Sequence, residues 1–177
     1  TRMLACGEDL GMIPDCVPDV MRELRILSLE IQRMPKDAQH EFADTWSYLY
    51  FSVCATSTHD MSPLRAWWKE DRGVTQRFWN QVLGKYGEAP AECTPDICLS
   101  IILMHLQSAS MLAILPLQDY LSLKPELCLE DPDKERINVP AISPFYWRFR
   151  MKTTIEELIN DDITGYIRSL IRGCGRR

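Results

Sequence analysis

Three short stretches carry side chains able to move protons or hold polar ligands: Gly7-Glu8-Asp9, Thr58-His59-Asp60 and Gln118-Asp119. A protonated carboxylic acid beside an ionised one permits general acid-base work, and a histidine next to an acid adds a further donor. Each stretch also has a plainer reading. Glu8 and Asp9 could simply favour a helix N-terminus, and Asp60 could cap a backbone amide in a turn. Position separates the two readings, because each stretch directly follows an apolar run: RMLAC (2–6), SYLYFSVCA (47–55) and MLAILP (111–116). Three of the four predicted strands therefore end in a carboxylate.

The elements that must position these acids follow from periodicity. Val17, Val20, Met21 and Leu24 fall at i, i+3, i+4 and i+7, one face of a helix around Pro18. LSLEIQ (27–32) reads as a strand, and the β-branched and aromatic content of 47–55 reads as a buried one. Ser62-Pro63 predicts a helix start, through Trp67 and Trp68, with an interruption at Gly73. A second stripe, Phe78, Trp79, Val82, Leu83 and Tyr86, runs up to Gly87. Thr94-Pro95-Asp96 repeats the start signal and opens ICLSIILMHL, apolar nearly all round and so a buried helix. Thr154 and Glu157 form a capping box for one closing helix striped from Ile155 to Ile171. Strands in sequence separated by helices imply crossovers and a parallel sheet, hence an α/β fold: half of an eight-stranded barrel or a small open sheet. In a barrel, catalytic groups lie beyond the C-terminal ends of strands, where all three acidic stretches fall.

Composition narrows the classes. The chain has 177 residues, 46% of them hydrophobic, which is enough for one domain with a substantial core. A formal charge of -5 and no Lys/Arg block leave no footprint for nucleic acid or an anionic membrane. No apolar run reaches the roughly 20 residues needed to cross a bilayer, and the first residues lack a signal-peptide core, so a cytoplasmic protein is expected. Seven cysteines, an odd number without a repeated CxxC, read as reduced thiols. Cys93 and Cys98 are the closest pair, and no histidine follows at finger spacing, so no metal is implied. His40 and His105 carry no motif and read as structural. Trp67, Trp68, Tyr146 and Trp147 could stack on sugar faces or fill the core.

Five segments in order, GEDLGMIPDCVPDVM, LSLEIQRMPK, STHDMSPLRAWWKEDR, LAILPLQDY and RINVPAISPFYWRFRM, resemble the C-terminal half of the catalytic barrel of 4-alpha-glucanotransferases, the amylomaltase or disproportionating-enzyme family. The wording is closest to the larger, cytosolic plant-type disproportionating enzymes and their bacterial relatives. The resemblance implies a (β/α)8 barrel of which residues 1–177 supply about strands 5 to 8. It implies Glu8 as general acid/base at the end of the fifth strand and Asp60 as the transition-state stabiliser at the seventh. Asp9, His59, Gln118, Asp119 and Asn138 would line the sugar site or support it. Retention at an α-1,4 bond needs a nucleophilic carboxylate about 5 Å from a protonated acid, and burial or a neighbouring carboxylate would keep such an acid protonated.

The family's nucleophile is an aspartate at the end of the fourth strand, upstream of Glu8, and no residue here takes that role. The chain is therefore expected to be a C-terminal fragment that needs its upstream half, inactive and prone to aggregate alone because half a barrel leaves open edges. The expected partner is maltose or another α-1,4-glucan, with no cofactor. A hydrolase of the wider alpha-amylase clan and a non-catalytic carbohydrate-binding remnant are the alternatives. Phe145 departs from the family pattern, where a polar residue is expected, and Cys174 stands where a serine is usual.

Overall fold

A computed structural model describes residues 3–144 and 147–177. Three strands, β1 (Ser28–Ile31), β2 (Ser52–Ala55) and β3 (Leu112–Ala113), run parallel in the order β1-β2-β3. Ser28 faces Ser52 and Ile31 faces Ala55, while Val53 faces Leu112. The first predicted strand shortens to one parallel bridge, Cys6 to Leu27, with the Gly7 N–H donating to the Leu27 carbonyl at 2.8 Å. Spatial order thus follows chain order from Cys6 to Ala113. Arg2, the first residue of that run, lies outside the described residues.

Helix α1 (Val17–Leu24) separates the bridge from β1, and its apolar stripe is real but mostly uncovered: Met21 is buried whereas Val20 and Leu24 are exposed. At Gly7 an added Cβ would stand 2.8 Å from Met21 Cε, so a larger residue there would push the flexible end of that buried side chain aside. Between β1 and β2 the chain is irregular, as expected. The predicted strand at 47–55 starts only at Ser52, because Asp44 accepts from the Trp46 N–H and winds Thr45–Ser47 into a 3-10 turn.

Between β2 and β3 come α2 (Leu64–Glu70), α3 (Arg72–Gln81) and α4 (Pro95–Leu106). Two sequence expectations fail here for one reason, side-chain capping. Gly73 does not interrupt a helix; it lies inside α3, and the break falls at Asp71, whose carboxylate accepts from the Gly73 and Val74 N–H groups. Ser62 does not cap α2, because its hydroxyl donates to Glu70 instead. The second stripe ends early too: α3 stops at Gln81, Gly84 takes a φ of 62°, and Tyr86 is 95% exposed. Thr94 does cap α4, accepting from the Ile97 N–H, and α4 is buried along Ile97, Cys98, Ile101, Ile102, His105 and Leu106. His105 is structural, as expected; its Nδ1 lies 2.8 Å from the Ile101 carbonyl, and burial pushes it down to about 4.

After β3 a short helix α5 (Leu117–Leu121) takes up part of the predicted strand's flank, followed by α6 (Ile155–Asn160) and α7 (Asp162–Gly173). The capping box at Thr154 and Glu157 forms as predicted. The single closing helix, however, divides at Asp161, which is extended, accepts from the Ile163 N–H and takes both carboxylate bonds from Lys124 Nζ at 2.8 Å. Arg176 closes the C-terminus, donating to the carbonyls of Leu106, Ser108 and Ser110.

The main core lies behind the sheet, where α2, α3 and α4 meet. Phe78 and Trp68 are fully buried, and Phe78 packs edge-on against Phe42, Trp67 and Trp68 with centroids 5.0, 5.1 and 6.3 Å away. Trp68 keeps its indole N–H satisfied by the Pro90 carbonyl at 2.8 Å. A second polar anchor ties the N-terminal bridge to β1. Asp9, 6% exposed, accepts from the Leu29 N–H at 2.8 Å, from Ser28 Oγ at 2.9 Å and from Lys36 Nζ at 2.7 Å, while Lys36 also reaches Glu30 at 3.0 Å. Burial pushes the Asp9 carboxyl up, but the Lys36 ammonium, the Leu29 amide and the Ser28 hydroxyl outweigh it, and the net direction is below the usual 3.8.

Two outcomes follow. Phe78→Ala removes the ring that three other aromatic rings contact, and urea unfolding should register a loss of about 3–5 kcal/mol; a loss below about 1 kcal/mol would show that the cluster is not the core's anchor. Because the folded Asp9 carboxyl lies below its unfolded value, its contribution is complete above pH 3.8 and disappears as pH falls through the folded value. Asp9→Asn should cost about 1–3 kcal/mol at pH 7 and flatten the acid limb of stability below about pH 4; an acid limb identical to that of the unsubstituted chain would refute the assignment.

Candidate active site

All strands are parallel, so their C-terminal ends share one edge of the sheet, and the three acidic stretches all emerge there. Glu8 follows the Cys6 bridge by two residues and is exposed. The enclosure that the sequence reading expected around Glu8 is thus not supplied by this chain's own side chains. Beside it, Asp9 opens on a groove of about 1090 Å3 that also runs past Ser28, Glu30, Lys36, Met12 and Tyr50.

The segment after β2 brings three of the expected residues together. Asn138 Nδ2 donates to Asp60 Oδ1 at 2.5 Å, across 78 positions of sequence. The Asn138 backbone N–H donates to the His59 carbonyl at 3.2 Å, and His59 Nε2 lies 3.5 Å from Asp60 Oδ2. Both His59 and Asp60 keep nearly half of their side-chain surface exposed, so their polar atoms remain available to a ligand. Trp147 stacks at a 37° tilt on the His59 ring with centroids 5.0 Å apart, and it is 59% exposed. Of the four aromatic residues with two readings, Trp67 and Trp68 are core, Trp147 is at the site, and Tyr146 lies outside the described residues, as does Phe145. A cleft of about 300 Å3 adjoins His59, lined by Ser57, Thr58, Pro116, Leu117 and Gln118 among others.

Gln118 and Asp119 occupy the rear of this site. Both are buried on α5. Gln118 Nε2 donates to the Glu135 carbonyl at 3.1 Å. Asp119 accepts from Thr56 Oγ1 and from the Leu64 N–H at 2.8 Å, so it joins the end of β2 to the first turn of α2. This carboxylate, 55 positions away in sequence, caps the helix that Ser62 leaves uncapped. Burial raises the Asp119 carboxyl, against the pull of Thr56, Leu64 and the Arg33 charge.

Arg33 is the residue that sequence reasoning did not single out. Its guanidinium donates to the Thr56 carbonyl at 3.2 and 2.9 Å and to the Ser62 carbonyl at 2.8 Å, and it lies 4.7 Å from the Trp67 ring centroid. Burial pushes it down to about 10, with Asp119 and Glu70 opposing, so it stays charged at neutral pH. Residues 56–62, which carry His59 and Asp60, are therefore held at both ends by charged groups. The one signal for Arg33 was its place in LSLEIQRMPK, where an arginine directly follows a buried strand.

Comparisons with known proteins fit this arrangement. A family model described as 4-alpha-glucanotransferase, glycoside hydrolase family 77, matches residues 1–155. The chain is 47% identical over 175 residues to the 4-alpha-glucanotransferase DPE2 of Oryza sativa subsp. japonica, covering 98% of this chain and 18% of that protein. It is 32% identical over 177 residues to the 4-alpha-glucanotransferase of Chlamydia pneumoniae, covering 97% of this chain and 33% of the relative. The chain thus spans between about a fifth and a third of the length of these relatives. Among solved structures, the amylomaltase of Streptococcus agalactiae in complex with acarbose superposes with a TM-score of 0.71 at 15% identity, over 96% of this chain and 31% of that one, so the fold is shared. By the family match over most of its residues, this chain belongs to the 4-alpha-glucanotransferase family, glycoside hydrolase family 77.

Proposed function

We propose that residues 1–177 form the C-terminal part, about strands 5 to 8, of the (β/α)8 catalytic barrel of a 4-alpha-glucanotransferase that transfers glucosyl or glucan units between α-1,4-glucans with retention. The observation that carries this is the meeting of His59, Asp60 and Asn138 at the C-terminal edge of a parallel sheet, with Glu8 emerging from the same edge. The parallel order from the Cys6 bridge through β1, β2 and β3, each neighbour following in sequence, supports a barrel segment.

In this reading Glu8 protonates the departing sugar oxygen, then as a base takes a proton from the 4-hydroxyl of the incoming glucan. Transfer replaces hydrolysis whenever that hydroxyl rather than water reaches the intermediate. Asp60 accepts hydrogen bonds from sugar hydroxyls that tighten as positive charge develops on the ring, and Asn138 fixes one of its oxygens so that the other faces the ligand. His59 supplies a donor beside it. Asp9, Gln118 and Asp119 act from behind: Asp9 ties the first residues of β1, Asp119 the end of β2 to α2, and Gln118 the turn that ends at Glu135. The nucleophilic carboxylate comes from the upstream half of the barrel, whose contact with Glu8 also provides the enclosure that this chain lacks.

With maltose as donor and glycogen as acceptor, the 177-residue chain alone should release no glucose, and adding an upstream segment that bears the missing aspartate should restore release. In the restored pair, Glu8→Gln should lower kcat by about 10²–10⁴-fold and Asp60→Asn by about 10²–10³-fold. Glucose release by the lone chain would overturn the half-barrel reading. Glucose release without lengthening of any glucan would identify a hydrolase, and no release under any combination would leave a carbohydrate-binding remnant.

A further inference from the structure

Around the segment that carries the exposed pair His59-Asp60 lies a set of charged side chains, of which Asp119 is buried, Arg33 and Arg136 are half-buried and Glu70 is exposed. Arg33 bonds the carbonyls of Thr56 and Ser62, and Asp119 bonds the Thr56 hydroxyl and the Leu64 amide. Ser62 donates its hydroxyl hydrogen bond to Glu70, which lies 3.5 Å from Arg136. Carbonyls at the end of a strand and before a helix have no partner within either element, and leaving them buried and unpaired would cost free energy. Arg33 Nη2 bonds both carbonyls, which lie six residues apart in sequence, Nε adds a second bond to Thr56, and the guanidinium face rests on Trp67. An ammonium has neither the second donor nitrogen nor the planar face.

We propose that Arg33 is a positioning residue for glucan transfer, setting the location of Asp60 and His59 by fixing both ends of residues 56–62 from inside the protein. It touches neither the sugar nor Glu8. Among the described residues the segment between its two anchors is otherwise restrained by the Met61 N–H donating to the Thr58 carbonyl at 3.1 Å, the Asp60 N–H reaching Thr58 Oγ1 at 3.3 Å, the Asn138 contacts and the Trp147 ring on His59. Loss of the fork would let Thr56 and Ser62 separate, and Asp60 would shift against a sugar whose charge develops only in the transition state. The effect belongs in kcat, because ground-state binding of maltose draws on many other contacts and the transition state draws on this one.

This inference rests on the glucanotransferase reading, and the experiment separates the two. In the full-length protein carrying this segment, transfer from maltose to glycogen is measured for the unsubstituted form, Arg33→Met and Arg33→Lys, with urea midpoints recorded for each. Arg33→Met should lower kcat by about 10–100-fold with KM for maltose changed less than about twofold. Arg33→Lys should fall between it and the unsubstituted enzyme, since an ammonium keeps the charge but loses the second donor nitrogen and the planar face on Trp67. Guanidinium at low millimolar concentration should raise kcat of Arg33→Met, and sodium at equal ionic strength should not. If Arg33→Met does not fold, Arg33→Lys carries the test with the same split between kcat and KM. Equal kcat in all three forms, or a loss that appears only as raised KM, would overturn the positioning role. An inactive unsubstituted protein would instead overturn the functional reading.

Discussion

The segment bearing His59 and Asp60 is held by two charges of opposite sign, a half-buried Arg33 and a buried Asp119, and most of the site's geometry depends on that arrangement. Arg33 takes the carbonyls at its two ends, and Asp119 takes a hydroxyl and an amide at nearly the same positions. Each satisfies groups that secondary structure cannot. β2 ends at Ala55 and α2 starts at Leu64, so the intervening backbone has no ladder and no helix to bond to. Hydrogen bonds to charged partners are about twice as strong as neutral ones and are more directional. They suit a segment that must stay in place while its middle faces solvent.

The aromatic cluster serves the same end at longer range. Trp67 offers one face to Arg33 and an edge contact to Phe78, so the guanidinium is held between polar acceptors and an apolar wall. That wall is α2, whose first amide is bonded by Asp119. Core packing and the placement of Asp60 are consequently linked through one short helix. Shifting α2 would move Leu64 off Asp119 and Trp67 off Arg33 together.

Much of this was legible in the sequence where the cause is local. Pattern and composition located β1 and α4, and a threonine followed by proline or by glutamate three residues on marked the starts of α4 and α6. The strand ends carrying Glu8, Asp60 and Gln118-Asp119 were legible because an acid after an apolar run is a local feature. What was not legible depends on which donors a side chain meets in the fold, some of them far along the chain. Ser62 looks like a cap by its neighbours, yet the cap is Asp119, 55 positions beyond the Leu64 amide it accepts from. Asp161 divides the closing helix because Lys124 holds its carboxylate. Asp71 rather than Gly73 breaks α2 from α3, because two amides aligned on a carboxylate outweigh the modest helix penalty of one internal glycine.

The carboxylates divide by how fully their oxygens are used. Asp9 has three donors on its two oxygens and Asp119 has one strong donor on each, and both are nearly enclosed. Such groups have little capacity left for a ligand, and freeing them would expose buried amides at Leu29 and Leu64. They are struts. Asp60 has one oxygen committed to Asn138, only a 3.5 Å contact to His59 on the other, and substantial exposure. It can exchange the weak contact for a ligand's hydroxyl at little cost. Glu8 is exposed beside the fully bonded Asp9, which places a solvent-facing acid next to a fixed one. A site that must discriminate a developing charge needs that combination: a few groups free to respond, anchored by neighbours that are not.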